Sequence, residues 1–385
     1  MVDYGVLDRT LHRAALQFGP LAELWFDLDQ AMNRLDPQGT AGGRHIFVTG
    51  LARAGTTILM RRIYATGTFC SLTYRDMPFV LAPNLWSLLT KVARRTKAPA
   101  ERAHGDGILV DIDSPESLDE VFWRIFSGDD YIGRTHLRPY EPDAETMAKY
   151  AAYVAAILKA DPERRPRYLA KNNNNILRLG SIRRAFPEAV ILIAFRDPLA
   201  HAASLLHQHW NFNARQQEHP FVRSYMTWLG HHEFGLDHRP FRFSEAGAGR
   251  LAAHRPDRLE YWLEIWCQTY DWLAKSAPRD AVFVCYEQLC QDTAVWKRLE
   301  DICRMEIGDR EHERFVIKAR VSDASLSATR LADQSRAIYA QLVARAQDAL
   351  GADGPPTCQD SAGCGEPKEP QQRYRNAPHT TEVKP

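Results

Sequence analysis

The sequence has no apolar run long enough to cross a membrane, and it has no excess of charge of either sign. A membrane span needs roughly 18 consecutive apolar residues, and no segment of this 385-residue chain approaches that length. With 49 Lys and Arg against 48 Asp and Glu, the formal net charge is +1. This balance argues against a dedicated nucleic-acid-binding protein, although it allows a local basic pocket for a small anion.

Cysteine is also scarce. The chain has seven Cys, an odd number, and no two of them have the Cys-x-x-Cys spacing, so neither a disulfide framework nor a structural zinc site is expected. The N-terminus carries Asp3 and Asp8 and lacks the uninterrupted apolar region of a secretory signal. We therefore expect reduced thiols in a cytoplasmic protein without a membrane span.

Short apolar runs alternate with amphipathic segments along most of the chain. Strands that are buried on both faces have such continuous apolar runs. They are predicted at 45–50, 69–74, 167–171, 189–195 and 281–286. Helical spacing is found at 142–160, 176–187, 259–277 and over most of 295–350. The alternation predicts an α/β fold, in which a mostly parallel, P-loop-like sheet is flanked by helices on both faces within a single large domain.

The domain boundaries follow from changes in composition. Residues 1–44 predict a helical lead-in, which is broken near Gly19-Pro20 and ends in a flexible connector at 39–43. The α/β domain is expected over 45–350. Residues 351–385 contain six Pro and four Gly and predict a disordered tail.

The loop after the first predicted strand has the spacing of a phosphate-binding loop. Gly50 and Gly55 are separated by four residues, and Thr56 and Thr57 follow where a helix should begin. Glycines permit a tight turn in which backbone N–H groups point at an anion. A nucleotide triphosphatase would have Lys at the position of Thr56, and Arg53 is the only cation in the loop. The loop therefore predicts anion binding and weakens an ATPase interpretation.

Two segments together resemble the sulfotransferases that use 3′-phosphoadenosine-5′-phosphosulfate (PAPS). RAGTT after a strand resembles their 5′-phosphosulfate loop, and ILIAFRDPLAHAASLL resembles their 3′-phosphate segment, a strand followed by Arg196 and, eight residues later, Ser204. VFVCYEQLC resembles a later family segment in which a strand ends in Tyr-Glu. The resemblance covers about residues 45–350 and looks closer to bacterial and protein-tyrosine-type enzymes than to the cytosolic small-phenol type.

The resemblance implies transfer of a sulfuryl group from PAPS, the co-substrate, to an acceptor hydroxyl or amine without a metal. It implies that the donor is bound by Arg53, Ala54, Gly55, Thr56, Thr57, Arg196 and Ser204. Arginine suits a dianionic phosphate because its planar guanidinium offers a fork of donors. Lys171 matches the family's catalytic Lys and, with Arg53, would offset charge on the leaving oxygen.

Asn173 lies where the cytosolic enzymes have a catalytic His, and an amide accepts no proton near neutral pH. In tyrosine-type relatives the base is a Glu after the second strand. The corresponding stretch SLTYRDMPF has one carboxylate, Asp76, which we expect to act as the base. The competing interpretation is structural, namely that Asp76 pairs with Arg75 or caps the next segment. The alternatives are His104, Asp106, Glu116 and Glu120. The spacing of His201, His207 and His209 is poor for a metal site.

Two other functions stay open at this point. One is a nucleotide or small-molecule kinase with a degenerate phosphate loop, and the other is a non-catalytic module that binds a 3′,5′-nucleotide. The acceptor, a small molecule, glycan or peptide, is expected to bind between insertions at about 77–165 and 205–256. No nucleic-acid partner is expected, and homo-oligomerisation is left open.

Overall fold

The structure is a computed structural model that describes residues 6–90, 100–101, 109–110, 116–307 and 329–350. Its strands, in chain order, are β1 (Ile46–Thr49), β2 (Phe69–Cys70), β3 (Ala100–Glu101), β4 (Leu109–Val110), β5 (Arg167–Lys171), β6 (Val190–Phe195) and β7 (Val282–Cys285). Five of them form one sheet in the order β2-β5-β1-β6-β7, in which every neighbouring pair is parallel. The strands β3 and β4 form a separate antiparallel pair.

Helices flank this sheet. In chain order they are α1 (Val6–Leu16), α2 (Gly19–Met32), α3 (Pro37–Ala41), α4 (Thr56–Tyr64), α5 (Pro83–Thr90), α6 (Glu120–Tyr131), α7 (Ala144–Ala160), α8 (Leu179–Ala185), α9 (Pro198–Glu218), α10 (Pro220–Trp228), α11 (Glu245–Ala252), α12 (Leu259–Ser276), α13 (Tyr286–Gln291), α14 (Thr293–Cys303) and α15 (Arg330–Leu350). Within the described ranges, none of these helices has the length and apolar character that a membrane crossing requires.

Both faces of the sheet are buried, which explains the continuous apolar runs of its strands. In β1 the side chain of Phe47 belongs to one apolar core, whereas Ile46 and Val48 belong to the core on the opposite face. Successive side chains of a strand point to opposite faces, so a strand covered on both sides needs apolar residues throughout. The predicted fold class, a parallel sheet with helices on both faces, is confirmed.

Two predicted segments differ from the structure. The second strand ends at Cys70 instead of residue 74, because the chain then turns into a 3-10 helix at Tyr74–Asp76. The predicted flexible connector at 39–43 is partly helical, because the short helix α3 covers Pro37–Ala41. Asp36 caps this helix, and its carboxylate accepts a hydrogen bond of 2.9 Å from the backbone N–H of Gly39.

Asp197-Pro198 is typical of a helix start, since an N-cap acceptor precedes a Pro in the first turn, and a helix begins there. Asp197 Oδ1 accepts a hydrogen bond of 2.9 Å from the backbone N–H of Ala200, and α9 continues to Glu218. The polar segment 211–256, for which the sequence indicates no definite structure, contains the end of α9 together with α10 and α11. In the described part of the chain the cysteines are free thiols, as expected, at positions 70, 267, 285, 290 and 303.

The strand order places a crevice between β1 and β6. From β1 the chain passes through α4 to β2 on one side of the sheet, whereas from β6 it proceeds to β7 on the other side. Connections that diverge in this way leave an opening at the carboxyl ends of the two strands, where ligands of α/β proteins bind. The loop 50–55 follows β1 and Arg196 follows β6, so both predicted phosphate-binding segments border this crevice.

Candidate active site

Both ends of the phosphate loop lie so close to other segments that only glycine fits there. Gly50 has φ +136°, and a Cβ there would lie 2.3 Å from the carbonyl oxygen of Ala194 in β6. Gly55 has φ +93°, and a Cβ there would lie 2.5 Å from Cδ2 of Tyr286. Other residue types rarely adopt these angles, and here they would also clash. The loop is therefore packed tightly against β6 and against the residue that follows β7.

The helix α4 begins directly after this loop. No side chain caps its N-terminus at Gly55, so its first N–H groups are not met by a capping side chain. Such a terminus combines donor groups with the positive end of the helix dipole and suits an anion. The N–H of Ala54, however, donates a hydrogen bond of 3.2 Å to the carbonyl oxygen of Leu51 within the loop. Of the predicted donors, Gly55, Thr56 and Thr57 thus lie at the helix terminus, and Ala54 closes the turn.

Arg53 and Ser204 are brought into contact. Arg53 adopts a left-handed conformation with φ +71°, which is uncommon for a residue other than glycine. Its Nε donates a hydrogen bond of 3.3 Å to Oγ of Ser204 on α9. Sparsely populated backbone conformations of this kind cluster at functional sites. The two predicted donor-binding segments therefore meet directly, although they are far apart in the sequence.

Arg196 lies over an aromatic ring next to the loop. Its guanidinium carbon is 4.8 Å from the ring centroid of Tyr286, and its Nε is 3.8 Å from Oε1 of Glu287. This Nε is buried and has no hydrogen-bond partner among the described residues. The side chain as a whole is 12% exposed, and a guanidinium at the carboxyl end of β6 is suited to an anionic ligand.

The carboxylate of Glu287 is shared by several donors. Its Oε1 accepts from the N–H of Asp197 at 3.0 Å, and its Oε2 accepts from the hydroxyl of Tyr339 at 3.2 Å. Burial raises the pKa of Glu287, while the hydrogen bond from the N–H of Asp197 and the charge of Arg196 oppose that change. Both residues of the Tyr-Glu pair noticed in the sequence therefore contact Arg196.

His201 anchors the phosphate loop to α9. It is fully buried, and its Nε2 lies 2.8 Å from the carbonyl oxygen of Ala52. Burial lowers the pKa of His201 to about 3, so the ring is neutral and Nε2–H donates to that carbonyl. From the sequence, this histidine was considered only as a metal ligand. Its position three residues before Ser204, on the helix that borders the loop, was the available signal for an anchoring role.

The residues after β5 meet two residues of the predicted insertion 205–256 that the sequence did not single out, His231 and Glu233. Lys171 ends the strand and is buried. Nδ2 of Asn173 donates a hydrogen bond of 3.1 Å to Oε1 of Glu233, and Oε2 of Glu233 is 3.5 Å from Nδ1 of His231. Nε2 of His231 lies 3.3 Å from the carbonyl oxygen of Ser117. Glu233 and His231 were missed because their segment showed no periodic pattern.

His231 and Glu233 shift each other's pKa in opposite directions. Burial alone would raise the pKa of Glu233, but the charge and the hydrogen bond of His231 outweigh it and hold this pKa well below its usual range. Burial would lower the pKa of His231, but Glu233 raises it above its ordinary value, with Lys171 opposing and Glu116 contributing. A negative carboxylate therefore stands beside Asn173 at neutral pH.

Asp76, the expected base, caps the 3-10 helix after β2. Its Oδ2 accepts hydrogen bonds of 2.7 Å from the N–H and 3.2 Å from the hydroxyl of Thr73. Glu116 lies next to this turn, and its Oε2 accepts from the hydroxyl of Tyr74 at 3.0 Å. The role of Asp76 as a base stays a prediction. His104 and Asp106 lie outside the described residues.

Glu120 has a structural environment. Its side chain is 2% exposed and pairs with Arg178, which is fully enclosed. Its oxygens also accept hydrogen bonds from Tyr131, Asn172 and Asn174. These partners surround the carboxylate, so it has no path to an acceptor in this conformation. Glu120 instead holds the run of asparagines that follows β5.

Two cavities adjoin these groups. A small one of about 30 Å³ is bordered by Leu51 and Ala52 of the phosphate loop, and by Asn173, Asn174 and Glu233. A larger, open groove of about 590 Å³ is lined by residues of both predicted insertions, among them His136, His209 and His254, and by Tyr261 of α12. The two cavities share the lining residues His238, Pro240 and Phe241. The groove therefore adjoins the small cavity, which in turn borders the phosphate loop.

Comparison with known proteins gives one family. The family model described as "Sulfotransferase family" matches residues 45–253 of this chain. No curated protein sequence matches it.

Three solved structures align with most of the chain at low similarity. Sulfotransferase STF1 from Mycobacterium tuberculosis H37Rv has 14% identity and a TM-score of 0.44, with 88% of this chain and 87% of that chain covered. STF9 from Mycobacterium avium has 14% identity and a TM-score of 0.43, with 89% and 83% covered. A sulfotransferase from Alicyclobacillus acidocaldarius has 16% identity and a TM-score of 0.37, with 81% and 97% covered.

Proposed function

The chain belongs to the sulfotransferase family, and from that premise we propose that it transfers a sulfuryl group from PAPS to an acceptor hydroxyl or amine. The observation that carries the proposal is the convergence of two anion-suited segments at one crevice. The phosphate loop after β1 and Arg196 after β6 border the same opening, and the contact between Arg53 and Ser204 joins them. A donor with phosphate groups at both ends of its ribose needs such a pair of sites.

Donor binding divides between the two segments. The N-terminal amides of α4, at Gly55, Thr56 and Thr57, bind the 5′-phosphate and the sulfate, with Ala54 holding the loop in shape. Arg196 and Ser204 bind the 3′-phosphate. The guanidinium of Arg196 supports this assignment, since its planar fork of donors suits a dianionic phosphate.

The transfer itself depends on position and charge. The acceptor atom forms a bond to sulfur while the bond from sulfur to the bridging phosphate oxygen breaks, and adenosine 3′,5′-bisphosphate leaves. Arg53 and Lys171 offset the negative charge that develops on that bridging oxygen, as cations do in the related phosphoryl transfers. Asp76 takes the acceptor's proton. None of these steps requires a metal ion.

The acceptor binds in the open groove, which holds space for a small molecule, a sugar unit or a peptide side chain. Its reacting group reaches the phosphate loop past His238, Pro240 and Phe241, the residues that line both cavities. The protein acts in the cytoplasm, in keeping with its reduced thiols, and it needs no nucleic-acid partner.

The kinase alternative is weaker. It requires a Lys in the loop, where this chain has Thr56, and the family match favours sulfuryl transfer. A binding module without turnover differs from the proposed enzyme only in its chemistry, so turnover has to be measured.

Calorimetry with three nucleotides followed by a turnover assay tests the proposed function. We expect adenosine 3′,5′-bisphosphate to bind more tightly than adenosine 5′-phosphate or ATP with Mg²⁺. Radiolabelled sulfate from PAPS should then appear on members of a panel of hydroxylated and amino-bearing metabolites, glycans and peptides. Preference for ATP with Mg²⁺ would support the kinase instead. Tight nucleotide binding without release of label to any acceptor, water included, would indicate the binding module.

A further inference from the structure

The wall of the open groove has a positive charge and no negative one. Among the described residues that line it, none is Asp, Glu or Lys, and Arg242 is the one with a permanent charge. The side chain of Arg242 is 32% exposed, so its guanidinium is accessible to a molecule in the groove. A cationic acceptor therefore finds no opposite charge in this wall, whereas an anionic acceptor does.

His136 lies beside Arg242 in the same wall. The backbone N–H of Arg242 donates a hydrogen bond of 2.8 Å to the carbonyl oxygen of Leu137, which places the two chain segments next to each other. Burial is the largest cause that lowers the pKa of His136, and the charges of Arg242 and Arg138 add to it, while Glu245 opposes them. The ring is therefore neutral at pH 7, and it responds to charge at this end of the groove.

The other imidazoles of the wall belong to an aromatic cluster. The ring of His238 lies 5.4 Å from that of His209 and 5.8 Å from that of Tyr261, measured between centroids. Burial lowers the pKa of His209, and it lowers the pKa of His238 to about 3. These rings thus add no charge at neutral pH, and they offer flat surfaces against which a ring of the acceptor packs.

The carboxylates nearest to the wall are engaged by arginines. Glu245 pairs with Arg242 itself, and Asp257 pairs with Arg255 at 2.7 Å. The side chain of Glu245 is 86% exposed, and an ion pair in such a position contributes little free energy. Arg242 can therefore exchange Glu245 for the anionic group of a ligand at low cost.

We propose that the groove takes an acceptor that carries one singly charged oxyanion, a carboxylate or a sulfate ester, and that Arg242 binds this group. The inference rests on the proposed function and specifies its acceptor. A guanidinium offers parallel N–H donors that match two oxygens of such a group. One guanidinium among neutral imidazoles compensates one negative charge, so the groove favours a singly charged group over a phosphate dianion.

Three phenols with the same ring are matched probes, namely 4-hydroxyphenylacetate, its neutral amide, and tyramine, which is cationic at pH 7.5. They are titrated by calorimetry into protein saturated with adenosine 3′,5′-bisphosphate. We expect the carboxylate to bind at least about fivefold more tightly than the other two. Arg242→Gln should abolish this preference, and Glu245→Gln should increase it, because the guanidinium then has no competing carboxylate. The sulfonate 4-hydroxyphenylmethanesulfonate shows which of the two oxyanions binds more tightly.

Arg184→Gln and Glu141→Gln are the control variants. These two residues also form an exposed ion pair, at 3.2 Å, but they do not line the groove. Both variants should keep the wild-type affinities for all four probes. Equal binding of the carboxylate and the amide, or a preference that survives in Arg242→Gln, overturns the proposal. Because Glu245→Gln is expected to strengthen binding, it decides the matter if Arg242→Gln does not fold, and unchanged affinity for the carboxylate would then count against the proposal.

The pKa of His136, measured by NMR, is a readout that needs no nucleotide. Bound 4-hydroxyphenylacetate places a negative charge near this ring and should raise its pKa, whereas the amide should leave it unchanged. If the protein fails to bind adenosine 3′,5′-bisphosphate but His136 responds to the carboxylate, the proposed function fails and the anion site stands. No response of His136 to 4-hydroxyphenylacetate, with or without nucleotide, overturns the anion site.

Discussion

The guanidinium of Arg196 lies over the ring of Tyr286, with 4.8 Å between its central carbon and the ring centroid. The same ring closes against Gly55, where an added Cβ would be 2.5 Å from it. One aromatic side chain thus contacts both segments to which donor binding is assigned. Tyr286 follows β7, which is the neighbour of β6 in the sheet. The pairing of these two strands therefore sets how the two segments are placed relative to each other.

Replacing Arg196 should discriminate between nucleotides. In Arg196→Ala, the affinity for adenosine 3′,5′-bisphosphate should fall far more than the affinity for adenosine 5′-phosphate, which lacks the 3′-phosphate. A charged hydrogen bond contributes roughly 1.5–3 kcal/mol, or about ten- to a hundredfold in affinity. Calorimetry with both nucleotides measures the difference, and Arg196→Lys controls for charge alone. Equal weakening for both nucleotides would remove the 3′-phosphate assignment.

Substitution of Gly55 tests the fit of the loop against Tyr286. Gly55→Ala combines an unfavourable φ of +93° with a clash against the ring, so it should weaken nucleotide binding at least tenfold. Gly67→Ala is a matched control, since Gly67 has φ +74° and a Cβ there would enter open space. The control should lose roughly 1–2 kcal/mol of stability from backbone strain alone and keep its affinity. Similar nucleotide affinities for both variants would contradict a tight contact between loop and ring.

Lys171 should act in the transition state more than in donor binding. Lys171→Ala is expected to lower kcat by at least tenfold while the dissociation constant of adenosine 3′,5′-bisphosphate changes little, because its charge is needed most when the bridging oxygen becomes negative. Single-turnover measurements with saturating PAPS separate the two effects. A loss of affinity with kcat unchanged would make Lys171 a ground-state binding residue.

Asp76→Asn keeps the shape of the side chain and removes its basicity. Donor binding should stay intact, and turnover should fall by about 10²–10⁴. The loss should be smaller for acceptors with acidic hydroxyls, which deprotonate more easily. Because Asp76 also caps the turn at Thr73, circular dichroism must accompany the assay. Near-wild-type turnover on a poorly acidic alcohol would pass the role to His104 or to an acidic residue in 106–120 other than the enclosed Asp119 and Glu120.

The buried carboxyl of Asp119 predicts a pH-dependent stability. Burial is the largest cause and the neighbouring Glu120 the second; together they raise the pKa of Asp119 from 3.8 to about 7. Between pH 3.8 and pH 7 the folded protein holds on Asp119 a proton that the unfolded chain has released. The contribution of Asp119 to the free energy of unfolding is therefore full below pH 4 and is lost as the pH rises through 7.

Asp119→Asn imitates the protonated form at every pH. Its free energy of unfolding relative to the wild type should therefore increase between pH 4 and pH 8, by a few kcal/mol in total. Urea unfolding at several pH values measures this difference, and taking the difference cancels the contributions of other titrating groups. A difference that stays constant with pH would show that Asp119 titrates normally in the folded protein.

Local patterns were sufficient to predict the sheet and to single out two segments that border the same crevice. The apolar run at β1, the paired glycines and the Asp197-Pro198 helix start each depend on residues next to one another in the chain, and backbone sterics and burial on both faces leave few alternatives. Predictions at the ends of elements were less accurate. The second strand is short because the capping of the turn at Thr73 takes precedence over its apolar residues.

The acceptor side of the site was decided by the tertiary structure. Asn173 meets Glu233 sixty residues later in the chain, and Glu120 is withdrawn from the site because Arg178 binds it fifty-eight residues away. No periodic pattern records such contacts, since the free energy of a buried polar group depends on which partners the fold brings within hydrogen-bond distance. The sequence by itself determined the strands, the phosphate loop and the positions of Arg53 and Arg196. Only the packing of the segments after β5 and α10 determined that Glu120 is enclosed and that Asn173 contacts Glu233.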